Sequence, residues 1–324
     1  MKILFLSVDN PSFVARDRVI LSNNFDTSYI QYSNKTKPAF LHLFRLIQST
    51  DILFLWFASL NFILPVLLAK VFSKKIIIVS GGYDVANLEE LKYGSCNSLL
   101  KRYFVKNLLK SAHKILAVSK SNMQEVINNC KIQKDKIKLI YHGFKLQKKI
   151  DFNSKENRII TIGFINKDSF KRKGIDRFIE LAKFLPDIPF HLVGKCELQL
   201  ELPANVFLEG YVDDDKLLNL FKQSKIYIQF SRHEAFGCSL AESMQRGCIP
   251  VISGNYSLPE VAGDAGLVIN DFSDFTEIAI KIRSIFDNYS PEQAQKSADH
   301  INYTFPFENR EKGLIEVVMD INNE

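Results

Sequence analysis

The segment SRHEAFGCSLAESMQRGCIPV, Ser231 to Val251, holds Glu234 and Glu242 eight positions apart, one on each side of Gly237. KIYIQF before it reads as a strand ending at Phe230, SRHEAF as a loop, and Gly237 as the opening of a helix that carries Glu242 on its second turn. One carboxylate beside a helix N-terminus is ordinary, because the first N–H groups and the dipole favour negative charge there. Two acids flanking the first amides, at Gly237, Cys238 and Ser239, outline an anion site with a hydrogen-bond acceptor at either end. Such a site suits a ligand with an anionic middle and hydroxyl-bearing ends. A nucleotide diphosphate sugar has that form.

The elements that must position these residues alternate along the chain. KILFLSV, TSYIQYS, DILFLWF, KKIIIVS, KILAVS and IKLIYH are the strands of the first half, with helical spacing over Ser12–Asn24, Ala39–Gln48 and Ser119–Asn129. The polar stretch Phe144–Asn157 reads as a linker. The alternation then restarts with RIITIG, FHLVG, NVFLEG, KIYIQF, IPVIS and GLVIN, separated by helices at Gly174–Phe184, Asp214–Gln223 and Gly237–Arg246. The tail after Asp271 is helical throughout. Continuous apolar strands covered by helices on both faces imply parallel sheets. The fold class is therefore α/β, two doubly wound Rossmann-like domains facing across a cleft, with ligand at the carboxyl ends of the strands.

Composition narrows the function classes. Residues 1–150 carry 23 Lys/Arg against 9 Asp/Glu and residues 151–324 carry 19 against 27, so the net +6 conceals a basic half and an acidic half. A basic half fits an anionic partner, such as a membrane surface or a phosphorylated lipid, and equally a Lys-rich solvated surface. The lysines are spread over alternating elements with no recognition-helix or zinc-finger pattern, so nucleic acid is not expected. Five isolated cysteines, with no C-x-x-C pair, indicate neither a disulfide framework nor a zinc site and suggest a reducing, cytoplasmic compartment. Ile52–Phe72 has about the length of a membrane span, but Ser59, Asn61 and Pro65 divide it into a buried strand, a turn and a helix.

Together, the E-x7-E spacing of Glu234 and Glu242 and the following GCIPVISGNYSLPEVAGDAGLVIN resemble the retaining family 4 glycosyltransferases of the GT-B fold (glycosyl transferases group 1). The resemblance implies that Glu234 meets the hydroxyls of the donor sugar and Glu242 the ribose, with the backbone of Ala235, Phe236 and Gly237 against the sugar and His233 beside it. TIGFINKDSFKRKGIDRFIELAKFLPDIPFHLVG is similar to the first strand of the family's donor domain, its basic loop, helix and next strand. Gly163, Gly194, Arg172 and Lys173 then become donor-binding candidates. Lys173 is the lysine at the diphosphate, where a cation offsets charge developing on the leaving phosphate. Phe164 stands where the family often has Arg, so Lys167, Lys171 or Arg172 would supply the second cation.

EGYVDDDKLLNLF resembles the segment near the nucleobase, which makes Tyr211 and Val212 base-site candidates. Asp213–Asp215 precede an apolar helical pattern and read as an N-cap rather than a metal clamp, and no metal or cofactor is expected. IIIVSGGYDVANLEELKYG is similar to the acceptor-side loop that faces the sugar. It gives Gly81, Gly82, Tyr83 and Asp84 as candidates, with Asp84 the choice to replace a His often found there. Arg16 and Asp17 occupy the acceptor-loop position or a helix face, and His142 lies where Asn is commoner. FPFENREKGLIEVV matches the final helix that crosses back to the first domain.

Residues 1–145 are thus expected to bind acceptor, 146–305 to bind the nucleotide sugar, and 306–324 to return to the first domain. The implied activity is a hexosyltransferase-type, retaining transfer to a glycan or lipid-linked acceptor in bacterial surface polysaccharide synthesis, with catalytic candidates Glu234, Lys173 and Asp84. Peripheral contact with an anionic membrane at its inner face is a further partner the basic half would fit. The rival readings are a dinucleotide oxidoreductase, which lacks its G-x-G-x-x-G after either first strand, a membrane-integral protein, and a non-catalytic nucleotide-sugar-binding partner of a larger synthase.

Overall fold

The apolar runs of the first half become β1 (Lys2–Ser7), β2 (Asp26–Gln31), β3 (Ile52–Trp56), β4 (Lys75–Ser80), β5 (Lys114–Ala117) and β6 (Ile137–Leu139). Those of the second half become β7 (Glu156–Ile162), β8 (Phe190–Val193), β9 (Val206–Gly210), β10 (Ser224–Gln229), β11 (Ile249–Ser253) and β12 (Leu267–Ile269). A computed structural model describes residues 1–32, 38–147 and 151–323. It divides into two units, Met1–Gly143 with Phe307–Glu324, and Phe144–Pro306.

Each unit is built on a six-stranded sheet. The first has the order β2-β1-β3-β4-β5-β6 and the second β12-β11-β10-β7-β8-β9. Every pairing is parallel. The central strands are buried end to end, as in Ile52–Trp56 and Ile249–Ser253, because helices cover both faces. Helix Ile175–Ala182 shows the covering chemistry: Ile175, Phe178, Ile179, Leu181 and Ala182 are buried on it. Each large apolar side chain so buried contributes about 1.5–3 kcal/mol.

In the first unit, helices Ser12–Asn24 and Phe307–Asn323 pack on one another. Asp17, on the first, is fully buried and forms an ion pair with Arg310 on the second. Arg310 Nε donates to Asp17 Oδ1 at 3.0 Å, Arg310 Nη1 donates to the Ile140 carbonyl, and Trp56 Nε1 donates to Asp17 Oδ2 at 2.9 Å. Asp17 therefore anchors the C-terminal helix and is not an acceptor-loop group, while Arg16 donates to the Gly143 carbonyl.

Ile52–Phe72 folds as β3, a 3-10 turn at Leu60–Phe62 and helix Ile63–Val71, with Pro65 in the first turn of that helix. Among the described residues no helix is long and apolar enough to cross a membrane. The expected linker needs correction. Residues 148–150 lie outside the described residues, but Phe152 packs with Ala294 and Ala298, and the buried Lys155 ammonium donates to the carbonyls of Phe221 (2.8 Å) and Ser224 (2.7 Å). Phe152 and Lys155 thus buttress the second unit, the Lys155 ammonium satisfied by backbone oxygens.

Candidate functional site

Since all strands of the second sheet are parallel, the loops that follow them emerge at one edge, in the order set by the sheet: Gly254–Ser257 after β11, Phe230–Gly237 after β10, Gly163–Lys173 after β7, Gly194 after β8 and Tyr211 after β9. β9 lies three strand spacings from β10, on the order of 15 Å. The edge therefore has room for an extended ligand.

The loop after β10 is held from three sides. Arg232 N–H donates to the Arg172 carbonyl at 2.7 Å, and its guanidinium grips Asp176 in a two-point ion pair at 2.8 and 2.7 Å. The Ser257 hydroxyl shares its proton between the carbonyls of Glu234 (2.9 Å) and Phe236 (3.0 Å), and Ser253 Oγ donates to the Ser231 carbonyl at 2.6 Å. Below, Phe236 packs on Phe144 and Phe305, so only its backbone is available to a ligand. His233 is buried with its ring 4.4 Å from Tyr256 and braces the loop from behind.

Lys173 reaches this loop because of the glycine after it. Gly174 has φ +71°, and a Cβ there would lie 2.1 Å from the Phe230 carbonyl oxygen, so the Lys-Gly pair lets the basic loop close onto the end of β10. Within that loop Lys167–Phe170 forms a short helix with an Asn166/Ser169 capping box, a regularity its charges conceal. Lys173 Nζ donates to Glu234 Oε2 at 2.5 Å, and Gln229 Nε2 donates to the same oxygen at 2.8 Å. The side chains are 25% and 15% exposed. Burial pushes the Glu234 carboxyl up, but Lys173, then Arg172 and His233, more than offset it and hold the group below its ordinary range.

Gly237 is the N-cap of helix Cys238–Met244, with φ +100°, no side-chain cap hydrogen bond and no acid in the first turn. A Cβ on Gly237 would lie 3.7 Å from Glu234 Cγ, which places that acid directly beside the helix start. Glu242 is half-buried on the second turn. Burial raises the Tyr227 phenol well above its usual range, and the carboxylates of Glu234 and Glu242 push it the same way, so both acids lie near one buried side chain. At the other end of the edge Tyr211 is 85% exposed, Val212 is half-buried, and Asp213 caps its helix by accepting from Lys216 N–H at 2.8 Å. Tyr211 is thus an open surface aromatic and not part of the core.

Residues 143–302 match the family model described as glycosyl transferases group 1. The chain carries a group 1 glycosyltransferase domain. Over 60 residues it is 45% identical to O-antigen chain mannosyltransferase B of Escherichia coli, covering 18% of this chain and 16% of that protein. Over 213 residues it is 25% identical to the N-acetylgalactosamine-N,N'-diacetylbacillosaminyl-diphospho-undecaprenol 4-alpha-N-acetylgalactosaminyltransferase of Campylobacter jejuni, covering 61% and 57%. The chain spans less than two thirds of the length of these curated relatives. A structure of Anabaena Alr3699/HepE in complex with UDP-glucose superposes with a TM-score of 0.79 at 15% identity, covering 99% of this chain and 100% of that one. That likeness shows the fold, which is GT-B.

Within the group 1 domain the structure brings Glu234 and Lys173 into contact and sets Gly163 and Gly194 on adjacent strand ends, where Gly163 N–H donates to Val193 O and Gly194 N–H to Gly210 O. Phe164, exposed after Gly163, lies under Lys195, whose Nζ is 5.7 Å from the ring centroid. Sequence reasoning missed Tyr227, Gln229 and Ser231. They alternate along β10 and its exit, the spacing that puts side chains on one face of a strand. Tyr227 OH donates to Gln229 Oε1 at 3.4 Å and Gln229 Nε2 to Ser231 Oγ at 3.2 Å, so a buried polar row leads to Glu234. Polar letters at every second position of an otherwise apolar strand were the available signal.

The acceptor-side candidates belong to the other unit, at the end of β4. Gly81 and Gly82 N–H donate to Asp84 Oδ1 at 3.2 and 2.9 Å, and Ala58 N–H donates to Oδ2 at 3.0 Å. Asp84 is 3% exposed, and burial raises its pKa to about 6 against the pull of those amides. Asp84 ties the loops after β3 and β4 together, its two oxygens taken up by backbone amides. Tyr83 is the exposed side chain of this loop, packed edge-on against Tyr93 at 5.2 Å. His142 is buried, stacked on Trp56 and beside Phe13.

Proposed function

We propose that this chain is a retaining glycosyltransferase that moves a sugar from a nucleotide diphosphate sugar to a hydroxyl of a glycan or lipid-linked acceptor in bacterial surface polysaccharide assembly. It acts without a metal ion, peripherally at the cytoplasmic face of the membrane. The observation that carries the reading is the meeting of Lys173 with Glu234 beside the helix start at Gly237, at the carboxyl edge of the group 1 domain. The relatives named for O-antigen mannosyl transfer and for transfer to a diphospho-undecaprenol glycan support the acceptor class.

The pyrophosphate sits on the amides of Gly237, Cys238 and Ser239, with Lys173 as its cation. The bond from the anomeric carbon to the phosphate oxygen breaks, its electron pair staying on that oxygen. The acceptor hydroxyl attacks the anomeric carbon on the same face, and its proton passes to the departing phosphate, so configuration is retained and a nucleoside diphosphate leaves. No protein nucleophile is needed. The residues orient donor and acceptor and stabilise the leaving charge: Glu234 holds sugar hydroxyls, Glu242 the ribose, and Tyr211 with Val212 the base.

A second reading, a non-catalytic nucleotide-sugar-binding partner of a larger synthase, is favoured by Phe164 in place of a cation. Transfer by the purified chain separates the two. Glu234→Gln is expected to lower turnover by on the order of a hundredfold with the fold intact; a near-normal rate rejects the role of Glu234. In a thermal-shift panel, a nucleotide sugar at a hundred times its dissociation constant stabilises by about 2.7 kcal/mol, which identifies the donor.

A further inference from the structure

Strand β10 and its exit divide their side chains by face. Ile226, Ile228 and Phe230 belong to the apolar core of the second unit, and Tyr227, Gln229 and Ser231 alternate with them on the other side. All three polar residues are buried, Gln229 at 4% exposure. An aliphatic side chain fills such a position in a parallel strand at lower cost, because a buried amide gives up its water and recovers the loss only through hydrogen-bond partners. The fold alone does not call for Gln229. Its partners do.

Those partners fix the amide in one orientation. Nε2 donates to Glu234 Oε2 at 2.8 Å and to Ser231 Oγ at 3.2 Å, and Oε1 accepts from Tyr227 OH at 3.4 Å. Turned over, the amide would set Oε1 against the carboxylate, acceptor against acceptor, and present an NH2 group to the phenol proton. The Ser239 hydroxyl meets the same phenol, so Tyr227 connects Gln229 to the first turn of helix Cys238–Met244. Lys173 Nζ also donates to Glu234 Oε2. Among the described residues both side-chain donors to this carboxylate thus take Oε2, which leaves Oε1 to a ligand.

We propose that Gln229 is a positioning residue: it holds the Glu234 carboxylate by Oε2, in the orientation set by Tyr227 and Ser231, so that Oε1 meets the hydroxyls of the donor sugar. Lys173 cannot do this alone, because its ammonium is shared with the pyrophosphate once donor is bound, whereas the Gln229 amide has no other ligand to serve. A neutral donor also strengthens the hold on the carboxylate without adding a charge beside the sugar. The role in sugar binding rests on the transferase reading above; the hold on the Glu234 carboxylate does not.

The test is calorimetric titration of the purified chain with nucleoside diphosphates and their sugars, UDP and UDP-glucose, GDP and GDP-mannose among them. In Gln229→Leu the nucleotide sugar should bind about tenfold more weakly, the worth of a hydrogen bond to a charged group, while the bare diphosphate stays within about twofold of the parent. Gln229→Glu keeps the shape but replaces the donor by an acceptor. The new carboxyl and Glu234 cannot both stay ionised at low cost, so they share a proton as pH falls. Lys173, Arg172 and His233 are the cations facing this pair, and Glu242 and Tyr227 the remaining titratable groups. The shared proton restores the hydrogen bond, so the sugar-dependent deficit of Gln229→Glu against the parent should shrink several-fold from about pH 8 to about pH 6. Equal losses for diphosphate and nucleotide sugar, parent-like binding of the nucleotide sugar, or a deficit that does not change with pH would overturn the proposal. If no probe binds the parent, the transferase reading fails instead, and a carbon-13 titration of the Glu234 carboxyl, assigned with Glu234→Gln, still decides: its pKa should rise in Gln229→Leu, and an unchanged titration rejects the positioning role.

Discussion

Lys173 Nζ and Glu234 Oε2, brought from two different loops 61 residues apart in sequence, share a hydrogen-bonded ion pair at the carboxyl edge of the second sheet. Gln229 completes the arrangement from below. The pair sets the charge state of the acid, because burial alone would push Glu234 up and Lys173 is the largest influence opposing it.

That balance has a pH consequence. In Lys173→Met the main cation is gone, burial prevails, and the pKa of Glu234 rises. Residual transferase activity should then lose rate at a higher pH than the parent as pH falls, since the acid is protonated earlier. Coincident acid limbs in the two pH–rate profiles would show that Glu234 is not tuned by Lys173.

Two glycines at this edge should behave differently. A Cβ on Gly163 meets nothing closer than 3.8 Å, whereas on Gly174 it would lie 2.1 Å from a backbone carbonyl oxygen at φ +71°. Gly163→Ala is expected to fold with little change in melting temperature and to bind nucleotide sugar more weakly, because the added methyl sits at the donor edge. Gly174→Ala should cost several kcal/mol, at the upper end of single-substitution effects. Denaturation and donor titration of both variants decide this.

The buried pair Asp17–Arg310 ties the last helix to the first unit. Arg310→Met leaves a buried carboxylate that, among the described residues, keeps Trp56 as its side-chain donor, and a loss of about 3–5 kcal/mol is expected. Adding Asp17→Asn should recover part of that loss. Chemical denaturation of the single and double variants measures it; an additive loss would mean that the ion pair is not the anchor.

His142 gives a second pH effect of known sign. Burial, then Arg310 and Arg16, hold its pKa well below the ordinary value in the folded chain. The unfolded chain takes up the proton near pH 6.5, so stability is full above that pH and falls as pH drops below it, by up to about 1.4 kcal/mol per pH unit. His142→Asn should flatten this slope between pH 6.5 and 5.5 in denaturant titrations. His191, whose pKa burial also lowers, is present in both proteins and cancels in the comparison.

The alternation of apolar strands and amphipathic helices was legible because parallel sheets buried on both faces leave strands that read as unbroken apolar runs. The acids around Gly237 were legible because a helix start leaves a local mark. Contacts between distant segments were not. Nothing in the letters around Asp17 names Arg310, 293 positions later, and nothing around Asp84 says that three amides claim its two oxygens. Gln229 was hidden because a single amide in a strand looks like an interruption until Tyr227 and Ser231 are seen on the same face. Lys155 looked solvated for the converse reason: its partners are carbonyls, which carry no letter.

A crystal structure of the chain with a nucleotide diphosphate sugar is the most direct measurement. The pyrophosphate is expected on the amides at Gly237, Cys238 and Ser239 with the Lys173 ammonium against it, the sugar at Glu234 and the ribose at Glu242. A nucleotide sugar seated elsewhere, or one that leaves Glu234 and Glu242 out of reach of its two carbohydrate rings, would contradict the reading.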